Sequence, residues 1–242
     1  MDVAIELPGV VADFLNFIGI KWPQVNEDSV RDFAGHVRTF AAGIEGTHQD
    51  ATATLKAMNS AYQANSYDLL VSKWAHLSQG HMQDLLDACS VLADALDAAA
   101  DYIVAMKLEC IGELAVMAAS FVADQAAAVA TLGLAEAAEV AIVEGAKKLV
   151  EFLKQELIQY LVGQVINAAL TPLLGVVERA VAGMSYKALE DMLGVSGGGA
   201  GEGFMVHPDQ LREHAAAFTG HAEMVRMHAQ TFSTNMAGVS FS

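Results

Sequence analysis

The sequence predicts an all-α protein: a long antiparallel helical hairpin packed with further helices into an elongated bundle, plus a C-terminal helix after a Gly-rich linker. Three observations carry this. The 242-residue chain is 54% hydrophobic with only four Pro, and its abundance of Ala, Leu, Val and Glu favours helix on intrinsic propensity. Apolar residues recur three and four apart over long stretches, which is the period of one helix face. Turn-forming residues at 59–66 interrupt two long seams with so short a connection that the helices must fold back on each other. With aromatic residues at 7%, the core must be built from thin aliphatic layers that let helices approach closely.

In chain order, residues 7–20 suit a short helix opened by Pro8 and stopped at Gly19, after which Lys21-Trp22-Pro23 breaks the pattern. Asn26 precedes Glu27 and Asp28, a cap followed by acid in the first turn, where the helix dipole favours it. Apolar positions then fall at Val30, Phe33, Val37, Phe40, Ile44, Thr47, Ala51, Thr54/Leu55 and Met58, a continuous helical seam. The stretch Asn59-Ser60-Ala61-Tyr62-Gln63-Ala64-Asn65-Ser66 interrupts it with turn formers. A second seam resumes at Tyr67, Leu70, Trp74, Leu77, His81, Leu85, Leu92, Ala99, Tyr102 and Met106. Two long amphipathic helices with so short a connection must fold back on each other.

Residues 103–193 are apolar most of the way round. Breaks at Leu132-Gly133-Leu134 and Thr171-Pro172 divide them into helices near 111–131, 135–169 and 172–193. The window from Leu157 to Val177 is free of charge and long enough to cross a bilayer. Its Gln159, Gln164, Asn167 and Pro172 suit lipid poorly, and it reads as a buried central helix. The expected domains are therefore a helical bundle over 1–193, a flexible Gly-rich linker over 194–205 and a C-terminal helix within 206–242. The linker is no phosphate loop, because no Lys-Ser/Thr follows it and no strand leads into it. The last helix opens at Pro208 and Asp209. Its apolar positions Leu211, Ala215, Phe218, Ala222, Val225, Ala229 and Phe232 form a seam that needs a partner surface, on this chain or another.

Charge narrows the partners. The formal net charge is −16, with 15 acidic and 6 basic residues over 1–110, 10 and 5 over 111–193, and 4 and 2 over 194–242. No segment carries the cationic stripe that phosphate backbones require, so no nucleic-acid partner is expected. An acidic surface also repels anionic lipid. The N-terminus is acidic where a secretory signal would be basic. Cys89 and Cys110, on one helix, would lie roughly 30 Å apart and could not bridge.

No residue set announces chemistry. His207, His214, His221 and His228 recur every seven residues. Chelation by two histidines wants a spacing of three or four, so they read as a polar stripe beside the apolar seam, with a pH-sensitive contact as the sharper alternative. Acid groups such as Asp94/Asp97/Asp101 and Glu136/Glu139 lack a neighbouring His, Cys or Ser that would complete a reactive set. The expectation is a non-enzymatic protein with no cofactor and no metal.

The opening Leu7-Pro8-Gly9…Asp13-Phe14-Leu15-Asn16-Phe17-Ile18-Gly19…Trp22-Pro23, followed by the long seam and turn, resembles the N-terminal helical domain of actinobacterial polymorphic toxins. Those domains are related to the Trp-x-Gly helical-hairpin (Esx-like) substrates of type VII secretion, and the resemblance covers residues 5–190. At the hairpin turn, where that superfamily carries Trp-x-Gly, this chain reads Tyr62-Gln63-Ala64: an aromatic and a small residue without the signature. Residues 206–218 are similar to the first helix of a small Esx-like protein, and the chain after it resembles half a hairpin with a continuation, such as a toxin domain, to be expected. The Tyr-x-x-x-Asp/Glu export signal of type VII substrates is matched by Tyr186 and Glu190, which a helix would place on one face.

The resemblance implies a type VII substrate, or the leader or adaptor domain of a polymorphic toxin, that is cytoplasmic before export and then secreted or held at the cell surface. Its implied partners are small Esx-like helical-hairpin proteins, the type VII secretion ATPase, and a fused toxin domain with its immunity protein. Leu211, Phe218, Val225 and Phe232 are the expected partner-facing seam. The rival reading is a membrane-active or channel-forming domain, supported by the low-charge stretch 111–181.

Overall fold

The computed structural model of the chain describes residues 5–131, 136–176 and 205–239. They form an all-α fold, as the sequence predicts. Helix α1 spans Gly9–Phe17, α2 Glu27–Met58, α3 Asn65–Leu77, α4 Gln83–Thr131, α5 Glu136–Tyr160 and α6 Pro208–Gly238. A π-helical stretch at Ser78–Met82 joins α3 to α4, and another at Leu161–Leu170 extends α5. Two-residue strands, β1 (Tyr62–Gln63) and β2 (Met205–Val206), pair antiparallel. The described residues fall into two compact units: one takes in 5–32 and 95–167, the other 33–94, 168–176 and 205–239.

In the first unit, the Pro8 carbonyl accepts from the Val11 and Ala12 N–H groups at 2.9 Å, which starts α1. Gly19, at φ +72°, ends the turn in the left-handed region where a side chain would be strained. The helix buries Val11, Phe14 and Leu15, and the rings of Phe14 and Phe17 each lie 5.4 Å from that of Phe121 on α4. Asn26 caps α2, its Oδ1 accepting from the N–H groups of Asp28 (2.9 Å) and Ser29 (3.2 Å). Helices α4 and α5 run antiparallel. Tyr102 stacks on Tyr160 at 4.0 Å, the Met117 side chain lies over Gly145, and Ile103, Leu114, Leu153 and Leu157 are fully buried.

Two charges are buried in this core. The Lys107 ammonium donates to Glu27 Oε2 and to the Val25 carbonyl, both at 2.5 Å. Glu27 Oε1 accepts from the Ile5 N–H at 2.6 Å. Both side chains are at most 3% exposed. With the carboxylate and ammonium both hydrogen-bonded, the pair meets the condition under which burial of charge is tolerated.

Three expectations need correction. The helix does not break at Thr171-Pro172 but runs on through Val176. Residues 103–131 are not divided from the second arm of the hairpin, because α4 runs unbroken for 49 residues from Gln83 to Thr131. Gly112 lies within it with nothing inside 4 Å of where a Cβ would stand, so it is neither a break nor a close crossing. The sequence predicts a buried central helix over 157–177. The described part, 157–176, belongs to a helical run, Ala138–Val176, long and apolar enough to cross a membrane, and only 18% of that run's most apolar stretch is buried. Leu157, Val165 and Ala169 face inward while Ile158, Val162, Ile166 and Leu174 are exposed.

In the second unit, α2 and α3 fold back on each other across the turn. The Tyr67 hydroxyl donates to the Leu55 carbonyl at 3.1 Å. The Trp74 indole N–H donates to Thr52 Oγ1 at 2.9 Å, and His48 stacks flat on the same indole at 4.9 Å. Further along, Arg38 pairs with Asp94 at 2.9 Å. Both cysteines, Cys89 here and Cys110 in the first unit, are free and buried. Burial pushes both thiols up to about 11, which makes them poor nucleophiles at neutral pH.

Candidate interaction surface

The hairpin tip is organised around its own aromatic residue. Met58 ends α2, Ala61 is fully buried, and Ala64 starts α3 by accepting the Tyr67 N–H at 2.9 Å. Tyr62 is half-buried against the cluster of Leu55, Met58 and Tyr67, and its hydroxyl is hydrogen-bonded to Ser66. Gln63 is exposed. Tyr62 pairs in register with Val206 and Gln63 with Met205, and the His207 N–H donates to the Ala61 carbonyl at 2.8 Å. The tip is therefore covered by the segment that leads into α6.

Helix α6 then runs antiparallel along α2. Leu211 and Phe218 pack on the cluster at the tip, with Phe218 edge-on to Trp74 at 6.0 Å. Phe232 lies 5.0 Å from Phe40. Val225, the remaining member of the predicted seam, is 41% exposed, as are Met224 and Met227 to similar degrees. No residue of α6 is fully buried, so the helix lies on the hairpin rather than inside a core.

Between the aromatic anchors, two of the four heptad histidines, His221 and His228, lie within the contact and not beside it, while His207 is exposed. His221 Nε2 is 2.9 Å from Thr54 Oγ1, and His228 Nε2 is 3.2 Å from Thr47 Oγ1. Each threonine hydroxyl already donates to the carbonyl four residues back, Asp50 for Thr54 and Gly43 for Thr47, both at 3.0 Å. With each hydroxyl donating to its carbonyl, the arrangement suits an imidazole Nε2–H donor in each pair. His228 also rests against Gly43, where an added Cβ would stand 2.7 Å from Nδ1. The signal for this was present in the sequence as a seven-residue repeat in phase with Leu211, Phe218 and Phe232. What the sequence could not show was that Gly43 and the threonines make room for the rings on the facing helix.

In the first unit, Lys21, after α1, and Lys147, Lys148 and Lys154 on α5 line one open groove of about 470 Å³ with Gly19 and Glu151. Lys147, Lys148 and Lys154 are close in sequence, but counting charge over long segments hid them among acids, and only the fold brings Lys21 to them. Among the described residues, no group of three His, Cys, Asp or Glu side chains is placed to hold a metal ion. Tyr186 and Glu190, the export-signal candidates, lie outside the described residues, as do most of the Gly-rich linker and the expected break at 132–134.

A family model described as the WXG100 like domain matches residues 5–149, from before α1 into α5. The chain belongs to the WXG100-like family. The match takes in the helical hairpin and its Tyr62-Gln63-Ala64 turn, and it ends before α6 begins. Membership places the chain among type VII secretion substrates, whose WXG100 members are exported and generally work with Esx-like partners. No curated protein and no solved structure matches the chain.

Proposed function

We propose that this WXG100-like protein acts in type VII secretion as a leader or adaptor domain of a polymorphic toxin of an actinobacterium. It works by helix–helix assembly with small helical-hairpin partners and performs no chemistry of its own. In this reading it is made in the cytoplasm, meets its partners there, and is presented to the secretion ATPase as a composite helical surface. A toxin domain and its immunity protein complete the system.

The observation that carries the reading is the family hairpin with apolar residues left exposed on its second unit. Leu69 and Val71 on α3 and Met224, Val225 and Met227 on α6 are each at least 38% exposed. Covering such residues with another chain gains about 25 cal/mol per Å² of apolar surface removed from water, where a charged face would gain little. The test is co-expression with the small helical protein encoded beside it, followed by size-exclusion with light scattering. A stable complex is expected, weakened by Met224→Asp with Val225→Asp and untouched by Lys73→Gln. A chain that stays alone beside every such protein overturns the reading.

A second reading has a specific observation in its favour. The Ala138–Val176 helix contains an apolar stretch long enough to cross a bilayer, of which only 18% is buried, as a domain that inserts into membranes or forms a channel would require. Ion leakage from loaded vesicles supports it; a species that leaves vesicles sealed counts against it.

A further inference from the structure

Four of the chain's 13 lysines and arginines meet in one groove of a protein carrying a net charge of −16. Elsewhere four cations are placed against the chain's own acids, Arg31 on Asp101, Arg38 on Asp94, Lys107 on Glu27 and Arg212 on Asp209, while Lys56, Lys73 and Arg226 stand singly on the surface and are not gathered into a concavity. In the groove the only carboxylate is that of Glu151, 3.8 Å from Lys154. Lys21, Lys147 and Lys148 have no ion pair among the described residues and are exposed. With 29 acidic residues available, a concavity left this positive is complementary to an anion from outside.

The helix that supplies three of these lysines decides which anion. Beyond Glu156 it continues through 157–176 without a charged residue, and it presents Ile158, Val162, Ile166 and Leu174 to the exterior. Lysines gathered in a groove at 147–154, followed along the same helix by an exposed apolar stretch, match an amphiphile with an anionic head and an apolar body. A soluble phosphate compound would use the lysines and leave the apolar face in water. The chain's overall negative charge opposes an anionic surface only weakly at this distance, since charges beyond roughly 8 Å are screened at physiological salt.

We propose that the groove lined by Lys21, Lys147, Lys148 and Lys154 binds the phosphate of anionic phospholipid headgroups, seating the exposed face of the Ala138–Val176 helix against a membrane surface. The inference shares with the membrane reading only that this face meets lipid; it requires neither insertion nor a channel.

The test is flotation of the full chain with phosphatidylcholine vesicles, with and without added phosphatidylglycerol. Binding is expected only where phosphatidylglycerol is present. Each lysine near an anionic surface is worth roughly fivefold in partition, so K147Q/K148Q/K154Q should lower it on the order of a hundredfold. The variant K56Q/K73Q/R226Q, with the same change in net charge at exposed positions of the second unit, should bind nearly as the parent does. Equal loss in both variants, no preference for phosphatidylglycerol, or stronger retention on poly-glutamate than on vesicles overturns the proposal. So does saturation of the lysines by inorganic phosphate in a chain that never floats. Leakage measured on the same samples separates the two ideas. Binding without leakage upholds the groove and sinks the channel, whereas leakage undiminished in K147Q/K148Q/K154Q does the reverse.

Discussion

Glu27 and Lys107 show how a single pair of residues can set the pH limit of a helical unit. Burial alone pushes the Glu27 carboxyl up, but the Ile5 N–H and the Lys107 ammonium outweigh it, and the net value lies below the ordinary 4.5. The unfolded chain therefore takes up this proton first. The pair's contribution is complete above pH 4.5 and is lost as the pH falls further through the folded value. Lys107→Met leaves a buried carboxylate without its counter-charge and should cost about 3–5 kcal/mol. Glu27→Gln should destabilise at neutral pH, with its Tm deficit shrinking as the pH is taken below 4.5. Thermal melts of parent and variant across that range check both the size and the sign. A deficit that grows on acidification contradicts the assignment. At His48 burial decides the direction instead: packed on Trp74, its imidazole is held below the usual 6.5.

The elements were legible in the sequence to different degrees, and the reasons are physical. Pro8, Gly19 and Asn26 fixed the ends of α1 and the start of α2 because each acts through its own backbone or its immediate neighbours. The turn at 59–64 was equally plain, since it breaks two strong periodic patterns. By contrast, α4 was divided where it is continuous, because an Ala-rich helix that is apolar most of the way round offers no periodicity from which to judge its length. The outward face of residues 157–176 escapes the sequence for the same reason: residue type does not say which way an uncharged helical stretch points. For α6 the seam could be read but not its mate, which depends on the pairing of β1 with β2 and on space at Gly43.

That space gives the element-scale prediction. Gly43→Ala puts a methyl group inside the ring of His228, so either the ring or the whole of α6 must shift, at about 1–3 kcal/mol. Because α6 has no fully buried residue to hold it, the helix should loosen before the hairpin does. Limited proteolysis should then cut within 208–238 faster in the variant, while Gly35→Ala, with open space around it, should leave the rate unchanged. Equal rates in all three proteins would mean that the His228–Gly43 contact does not hold the helix.

At the scale of the whole molecule, the proposed assembly rests on a WXG100-like chain that leaves apolar residues of α3 and α6 exposed. Under that proposal these residues supply the attraction for a companion helix, while a net charge of −16 opposes self-association. The most direct test is hydrogen–deuterium exchange of the chain alone and with its helical-hairpin companion. The account predicts slower exchange over 65–77 and 208–238 when the companion is present, with the buried pair at Glu27 and Lys107 undisturbed. Unchanged exchange over both helices in a mixture at saturating companion would contradict it.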